Sequence, residues 1–589
     1  MPGLGIGISP IFRRPLNSGG SFNYDGILAI RAGQSNNTSR FNIPGNLPAP
    51  QQGVLSGVYN WSYNGGVPAF TSYQSGVNDS YGSNIYLPAA SGGVGFWKDF
   101  NNIADRFAIS NSLAYKLKNT YGVDSYLVPC ALGGTALDVL GLGEYQGATW
   151  DSATSDSLFD NLVTQITSAW NYSVALGKNL YPVITWNQGE NDAANATMAA
   201  NYYTNLVAFE ADLRTALSSL SPLFLTCPFI VTSLRADSSL TYHDTVQRAQ
   251  VAFVENTANA YMQYMFKDST PLSSDGQHYT PIVDSYGGIL GAINAGEEEA
   301  DFIYKLVVNP FVNDGYNKVV GGDKSTSGDY NYYDFKTHGV LQTFIATRSI
   351  DNLILVGGGG SGGGGGGTAA GGGGGGEAEV RTNYTITVSK KPIYIGAGGI
   401  PCVDAGQSIH YQGYNGGNTT FDGITALGGG GGGGYSASGV DGVNNGLNGG
   451  NGGGSAAYIT AGASGTGTYN GGAATSHPGQ GGGGAGAGAN GVDGTLNVGG
   501  DGGDGYQWVD GIYYGGGGGA SSLIGKTAGN GGLGGGGNGQ ERNATLATQG
   551  TDYLGGGGGS ISASSGLGGL GEPVPGGIGR AKFRIKFQN

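Results

Sequence analysis

The chain is poor in cysteine and in positive charge, and it has no long apolar run. Three cysteines, Cys130, Cys227 and Cys402, are scattered through 589 residues. That is too sparse for a disulfide framework or a metal-ligating cluster. Cys130 and Cys227 each close an apolar run and are expected as buried thiols. Lys and Arg number 27 against 41 Asp and Glu, a formal net charge of −14. Basic residues gather no further than doublets such as Arg13-Arg14, so the concentrated positive face that nucleic acid demands is missing. No stretch of about 18 apolar residues exists, and membrane insertion is not expected. The N-terminus lacks a charged segment followed by an apolar one, and Pro15 after Arg13-Arg14 argues against a twin-arginine signal. A soluble protein, not exported by the usual routes, is expected.

What is abundant is glycine, and it is unevenly placed. Of 121 glycines, 35 precede residue 341 and 86 fall in the last 249 residues. The first part has ordinary globular composition; the second is about one-third glycine without the Gly-X-Y period of collagen. The expected organisation is a short Gly/Pro-rich anchor (1–20), an α/β domain (21–308), a polar connector (309–340) and a glycine-rich domain (341–589).

Within 21–308, short apolar runs alternate with helical periods. Ile27–Ile30, Tyr126–Val128, Tyr181–Trp186, Phe229–Val231 and Tyr261–Phe266 lack polar alternation, as strands buried on both faces do. Three sets spaced by three and four mark amphipathic helices: Ile103, Phe107, Ala114 and Leu117; Leu158, Leu162, Ile166 and Trp170; Tyr202, Leu206, Phe209 and Leu213. The alternation predicts a parallel sheet covered by helices on both sides, with ligands at the carboxyl ends of its strands.

Four polar blocks fall at those ends. Ser35 follows the first strand in Ala-Gly-Gln-Ser-Asn36. Leu-Gly133-Gly134-Thr135 follows the second, where glycine lets backbone N–H groups approach a reacting carbonyl. Trp-Asn-Gln188-Gly-Glu190-Asn-Asp192 follows the third; Gln188 is suited to donate to an oxyanion, and Glu190 and Asp192 to cap the next helix or to support. Asp275-Gly-Gln-His278 comes late, and only His243 and His278 of the five histidines lie in this domain. One loop thereby offers a base and the carboxylate that orients it, the logic of a Ser-His-Asp triad. Each block alone is common in turns and caps; four in this order are far more specific.

In order and residues, the blocks resemble the SGNH hydrolase superfamily, in particular its carbohydrate acetylesterase branch (sialate O-acetylesterase and acetyl-xylan esterase relatives), over residues 24–305. One departure is Asn187 between Trp186 and the Gln-Gly-Glu block. The resemblance implies a flavodoxin-like three-layer α/β sandwich with a parallel sheet, and an esterase without metal or organic cofactor. It implies Ser35 as nucleophile, His278 as base and Asp275 as its partner. The oxyanion would be held by the N–H of Ser35, by Gly134 or Gly133, and by Gln188, with Glu190 and Asn36 supporting. A long insertion at 44–97 carries Trp61, Tyr63 and Tyr81, expected as a sugar-stacking platform or as cover for a core edge.

In the second half, glycine tracts (357–376, 428–434, 481–484, 515–519, 555–559) alternate with polar and aromatic islands between bracketing strands. Lone tracts stay disordered because glycine loses the most backbone entropy on ordering. Recurring tracts can instead pack side by side as extended runs, so a layered polyglycine-II bundle on a small β base is expected. Ala520–Thr527 superficially fits a phosphate loop but lacks the strand and helix that motif needs. The region resembles glycine-rich domains of bacteriophage tail-fibre adhesins, through Leu353-Ile-Leu-Val-Gly-Gly-Gly-Gly360 and Tyr384-Thr-Ile-Thr-Val388. That resemblance implies receptor contacts at loop tips, for which Tyr411, Tyr414, Trp508 and Tyr513 are candidates. The expected protein is a virion tail fibre or tailspike that deacetylates bacterial surface polysaccharide. It would join other tail proteins through its N-terminus, as a homotrimer. The alternatives are a non-catalytic glycan-binding adhesin and a secreted bacterial carbohydrate esterase.

Overall fold

The computed structural model describes residues 22–33, 41–42, 54–64, 67–74, 106–107, 109–131, 134–140, 149–154, 157–234, 240–263, 291–308, 319–366, 368–401, 412–434, 444–457, 464–476, 478–563 and 574–586. The chain forms two units, Met1–Asn317 and Lys318–Asn589.

The first unit is built on a seven-stranded sheet. Its strands are β1 (Gly26–Gly33), β2 (Val54–Asn64), β3 (Val67–Gln74), β4 (Ser125–Ala131), β5 (Leu180–Asn187), β6 (Phe229–Thr232) and β7 (Ala260–Gln263). The spatial order is β3-β2-β4-β1-β5-β6-β7. All neighbours are parallel except the β2–β3 hairpin. Without that hairpin the order is 2-1-3-4-5, a doubly wound sheet whose strand order reverses beside β1. Every residue of β1 and β4 is buried, so both faces are covered. The covering helices are α1 (Ile109–Tyr121), α2 (Leu158–Ala175), α3 (Ala196–Leu217), α4 (His243–Asn256) and α5 (Gly291–Ile303). α1 packs on α5, while α2 and α4 both pack on α3.

The expected first helix is shorter than its apolar spacing implied. Phe107 belongs to a two-residue strand paired with Phe41–Asn42, and α1 starts only at Ile109. The 44–97 insertion contributes β2 and β3, which extend the sheet edge beside β4. Tyr59 stacks on Tyr126 at 4.7 Å there, and Phe70 meets the same ring edge-on. Cys130 and Cys227 are buried free thiols. Among the described residues, no helix is long and apolar enough to cross a membrane.

The second unit starts earlier than expected. Residues read as connector form a hairpin, β8 (Asp323–Ser327) and β9 (Tyr330–Phe335), whose alternating inner residues Asn331, Tyr333 and Phe335 are buried. The alternating burial of a half-exposed hairpin leaves a sequence as polar as a linker. With β10 (Gly339–Val356), β11 (Ala378–Tyr394), β12 (Thr419–Phe421), β13 (Ile424–Ala426) and β14 (Arg580–Lys586) it forms an antiparallel sheet of order β8-β9-β14-β10-β11-β12-β13.

The glycine segments follow from β10. Their amides address neighbours in a fixed rotation. Gly371, Gly374 and Glu377 donate to Gly433, Gly430 and Leu427. Gly372 and Gly375 donate to Gly482 and Ala485, and Gly373 and Gly376 to Gly558 and Gly555. Each partner thus recurs every third residue. There is no room for side chains between segments: a Cβ on Gly373 would lie 2.2 Å from the Gly360 carbonyl oxygen, and one on Gly372 2.0 Å from that of Gly518. At the rim, where no further segment follows, Asn and Asp side chains replace the missing carbonyls at the same spacing. Asn415 and Asn418 accept from Gly431 and Gly428. Asp501 and Asp504 accept from Asn530 and Leu533.

Candidate active site

The carboxyl ends of β1, β4 and β5 lie side by side. Gly33, the last residue of β1, is in register with Ala131 and Asn187. It adopts φ +128°, and a Cβ there would sit 2.1 Å from the Asn187 carbonyl oxygen, so only glycine permits this approach. Ser35 follows two residues later. Ser35, Asn36, Gly133, Asp275 and His278 lie outside the described residues, as do Tyr81, Tyr411 and the Tyr63 side chain.

The blocks after β4 and β5 are described, and the structure binds them together. The Gln188 amide nitrogen donates to Asp192 Oδ2 at 2.5 Å and to the Thr135 carbonyl at 3.2 Å. Its two N–H groups are therefore both engaged within the protein, where an amide aimed outward at an oxyanion was expected. Asp192 also accepts from the backbone N–H of Leu137 at 3.1 Å and of Asp138 at 3.2 Å. The cap expected of Asp192 is supplied by Asn195, whose Oδ1 accepts from Thr197 and Met198 at the start of α3. Burial pushes the Asp192 carboxyl up to about 6, against the lowering effect of its three donors. Glu190 is buried beside it in sequence.

A second layer fixes these groups. The Asn191 side chain donates to the Gly134 carbonyl at 3.1 Å, and Gly134 adopts φ +73°. Asp138 accepts from Asn201 and Asn205 of α3. Trp150 Nε1 donates to Thr135 Oγ1 and its ring meets Trp186 edge-on. The Gln188 carbonyl accepts from Tyr202 Oη at 2.8 Å and from Gln250 at 3.0 Å. Sequence reading missed Tyr202 as a polar partner because its spacing matched an apolar face. It missed Gln250 because a polar residue on the buried face of α4, among Val246, Val251 and Val254, has no period of its own to mark it.

Trp61 takes the second of its two expected roles, cover for a core edge. It is 1% exposed, wedged against Phe70 and Tyr172, with Nε1 donating to Gln165 of α2. It seals the sheet edge and offers no face to a sugar. In the second unit Trp508 is 3% exposed and packs with Ile354, Val356 and Tyr514, donating to Asn352 Oδ1 at 2.6 Å. It is a core residue, not a receptor contact. Tyr513 is half-buried, and Tyr414 is 47% exposed.

Residues 98–282 match the family model described as carbohydrate esterase, sialic acid-specific acetylesterase. Residues 340–586 match the model of a glycine-rich domain. Among solved structures, a protein from Arabidopsis thaliana is 19% identical, with 48% of this chain and 99% of that chain covered and a TM-score of 0.34. NanS is 15% identical, with 48% and 98% covered and a TM-score of 0.33. XAC1771, a carbohydrate acetylesterase from Xanthomonas citri, is 14% identical, with 56% and 67% covered and a TM-score of 0.32. No curated protein matches the chain. The family match supports carboxylic-ester hydrolase activity for the region of residues 98–282, which a glycine-rich domain follows.

Proposed function

We propose that the chain is a bacteriophage tail fibre or tailspike protein that removes O-acetyl groups from a bacterial surface polysaccharide. The observation carrying the chemistry is the joined pair of loops after β4 and β5, with Gly134 and Gln188 beside the strand that leads to Ser35. In this reading Ser35 attacks the ester carbonyl as His278 takes its proton. His278 then protonates the departing sugar oxygen, leaving an acetyl-serine that water hydrolyses, while Asp275 orients the imidazole. The oxyanion is held by backbone N–H groups of Ser35 and the Gly133-Gly134 turn and by Gln188. Loss of one such donor typically costs about 10²–10³ in rate. The sheet is read as flavodoxin-like from its strand order.

The delivery role is supported by the second unit. Amide partners that recur every third residue fit polyglycine-II packing, which turns once in three residues, and the loops joining such segments are free to carry receptor contacts. Tyr414 is the exposed aromatic that suits this; Tyr411 and Tyr513 remain with it as candidates. The remaining assignments are attachment to other tail proteins through residues 1–20, homotrimeric assembly and a place in the virion.

Acetate release from O-acetylated polysaccharide, wild type against Ser35→Ala, tests the enzymatic part. Loss in the variant supports it, and equal rates leave a glycan-binding adhesin. Immunogold labelling of virions, with label expected on the tail, tests the delivery role; unlabelled tails favour a secreted esterase.

A further inference from the structure

Asp192 is fully buried, and its carboxylate gathers three N–H groups from two separate loops: the Gln188 side chain after β5, and the Leu137 and Asp138 backbone after β4. Burying a carboxylate is expensive unless donors replace its water. A fold that needed only a linker here would use an apolar residue.

We infer that Asp192 is a positioning residue of the esterase site, holding the Gln188 amide and the Thr135–Asp138 turn as one unit. The inference rests on the esterase reading above. An amide nitrogen has two hydrogens. The one on Asp192 makes a short, charge-assisted bond; the one on Thr135 makes a longer bond to a neutral carbonyl. The weaker bond is the one that exchanges for a developing oxyanion. Asp192 also settles which end of the amide turns inward, since only the nitrogen end can meet a carboxylate. The same carboxylate fixes the turn carrying Gly134, so both oxyanion donors keep their spacing through one anchor. Asn191, on the Gly134 carbonyl, and Asp138, on Asn201 and Asn205, tie the turn at two further points.

The test uses the full chain. Asp192→Asn keeps one acceptor but turns an NH₂ towards backbone donors. Its kcat is expected to fall about 10²-fold with KM within about threefold, because the Gln188 contact forms in the transition state. Gln188→Ala falls similarly, and the double variant is no worse than Gln188→Ala alone. A kcat for Asp192→Asn within about threefold of wild type, or losses that multiply, overturns the inference. A wild type that releases no acetate removes the esterase reading instead. The bond is then read directly in chain labelled with [¹⁵N]glutamine, the Gln188 side-chain signals being assigned by their loss in Gln188→Ala. Signals that shift in Asp192→Asn sustain the positioning contact; unshifted signals overturn it.

Discussion

Arg31 of β1 and Glu299 of α5 form an ion pair in which each side chain is 1% exposed. Arg31 stands four residues before Ser35. Glu299 lies on the first described helix after the Asp275–His278 block. The pair therefore fastens the strand leading to Ser35 onto the helix that follows the Asp275–His278 block in sequence.

Breaking a buried pair strands one charge and costs about 3–5 kcal/mol, whereas replacing both partners with apolar residues is often near neutral. Glu299→Gln and Arg31→Met are each expected to lower the urea midpoint strongly. Arg31→Met with Glu299→Leu should recover most of it. A double variant as unstable as the singles would show that the pair does more than neutralise itself.

Asp192 gives stability a distinctive pH dependence. Its carboxyl is raised from 3.8 to about 6 in the fold, so the folded state binds the proton more tightly than the unfolded chain. The group's contribution is full below about pH 4 and is lost as pH rises through about 6, by about 3 kcal/mol for a two-unit rise. Burial is the largest cause and the charge of Asp138 adds to it, while Gln188 and the two backbone amides oppose them. Wild type should lose more stability than Asp192→Asn between pH 4 and 7 in urea titrations. Parallel curves would remove this origin. The ionised form that accepts three N–H groups is thus the less stable one.

Trp508 and Tyr414 separate packing from recognition. Trp508→Ala should cost about 3–5 kcal/mol, as large core truncations do, seen as a lowered Tm of the second unit. Tyr414→Ala should leave Tm unchanged and, on the receptor reading, weaken binding to host cells. Unchanged binding in Tyr414→Ala removes that residue from the candidates.

The rim acceptors predict a graded series. Asp504→Asn keeps the acceptor for Leu533 and should be neutral, while Asp504→Ala should cost about 1 kcal/mol, the usual worth of one hydrogen bond. Gly373→Ala places a methyl 2.2 Å from a carbonyl that is itself held in the lattice, and should prevent the second unit from folding. Circular dichroism and thermal melting of the three variants check the ranking.

Much of the first unit was legible because β1, β4, β5 and β6 are buried on both faces and so read as unbroken apolar runs. The blocks after β4 and β5 were legible by position. Their mutual bonds were not, since Asp192 reaches more than fifty residues back to Leu137. The roles of Trp61 and Trp508 stay open in the sequence because aromatic rings serve cores and binding faces alike, and only tertiary packing tells them apart. One signal was available and overlooked: Asp501 and Asp504, like Asn415 and Asn418, stand three apart. They form the rim of the glycine segments.

That period of three has a consequence for length. Three residues added within a glycine segment return every later amide to the neighbour it served before. One or two swing each of them a third of a turn, towards the wrong neighbour. Insertions inside segments are therefore quantised, while the loops joining them escape the arithmetic and can lengthen, shorten or be exchanged singly. The second unit divides itself into a part that counts and a part that is free to vary.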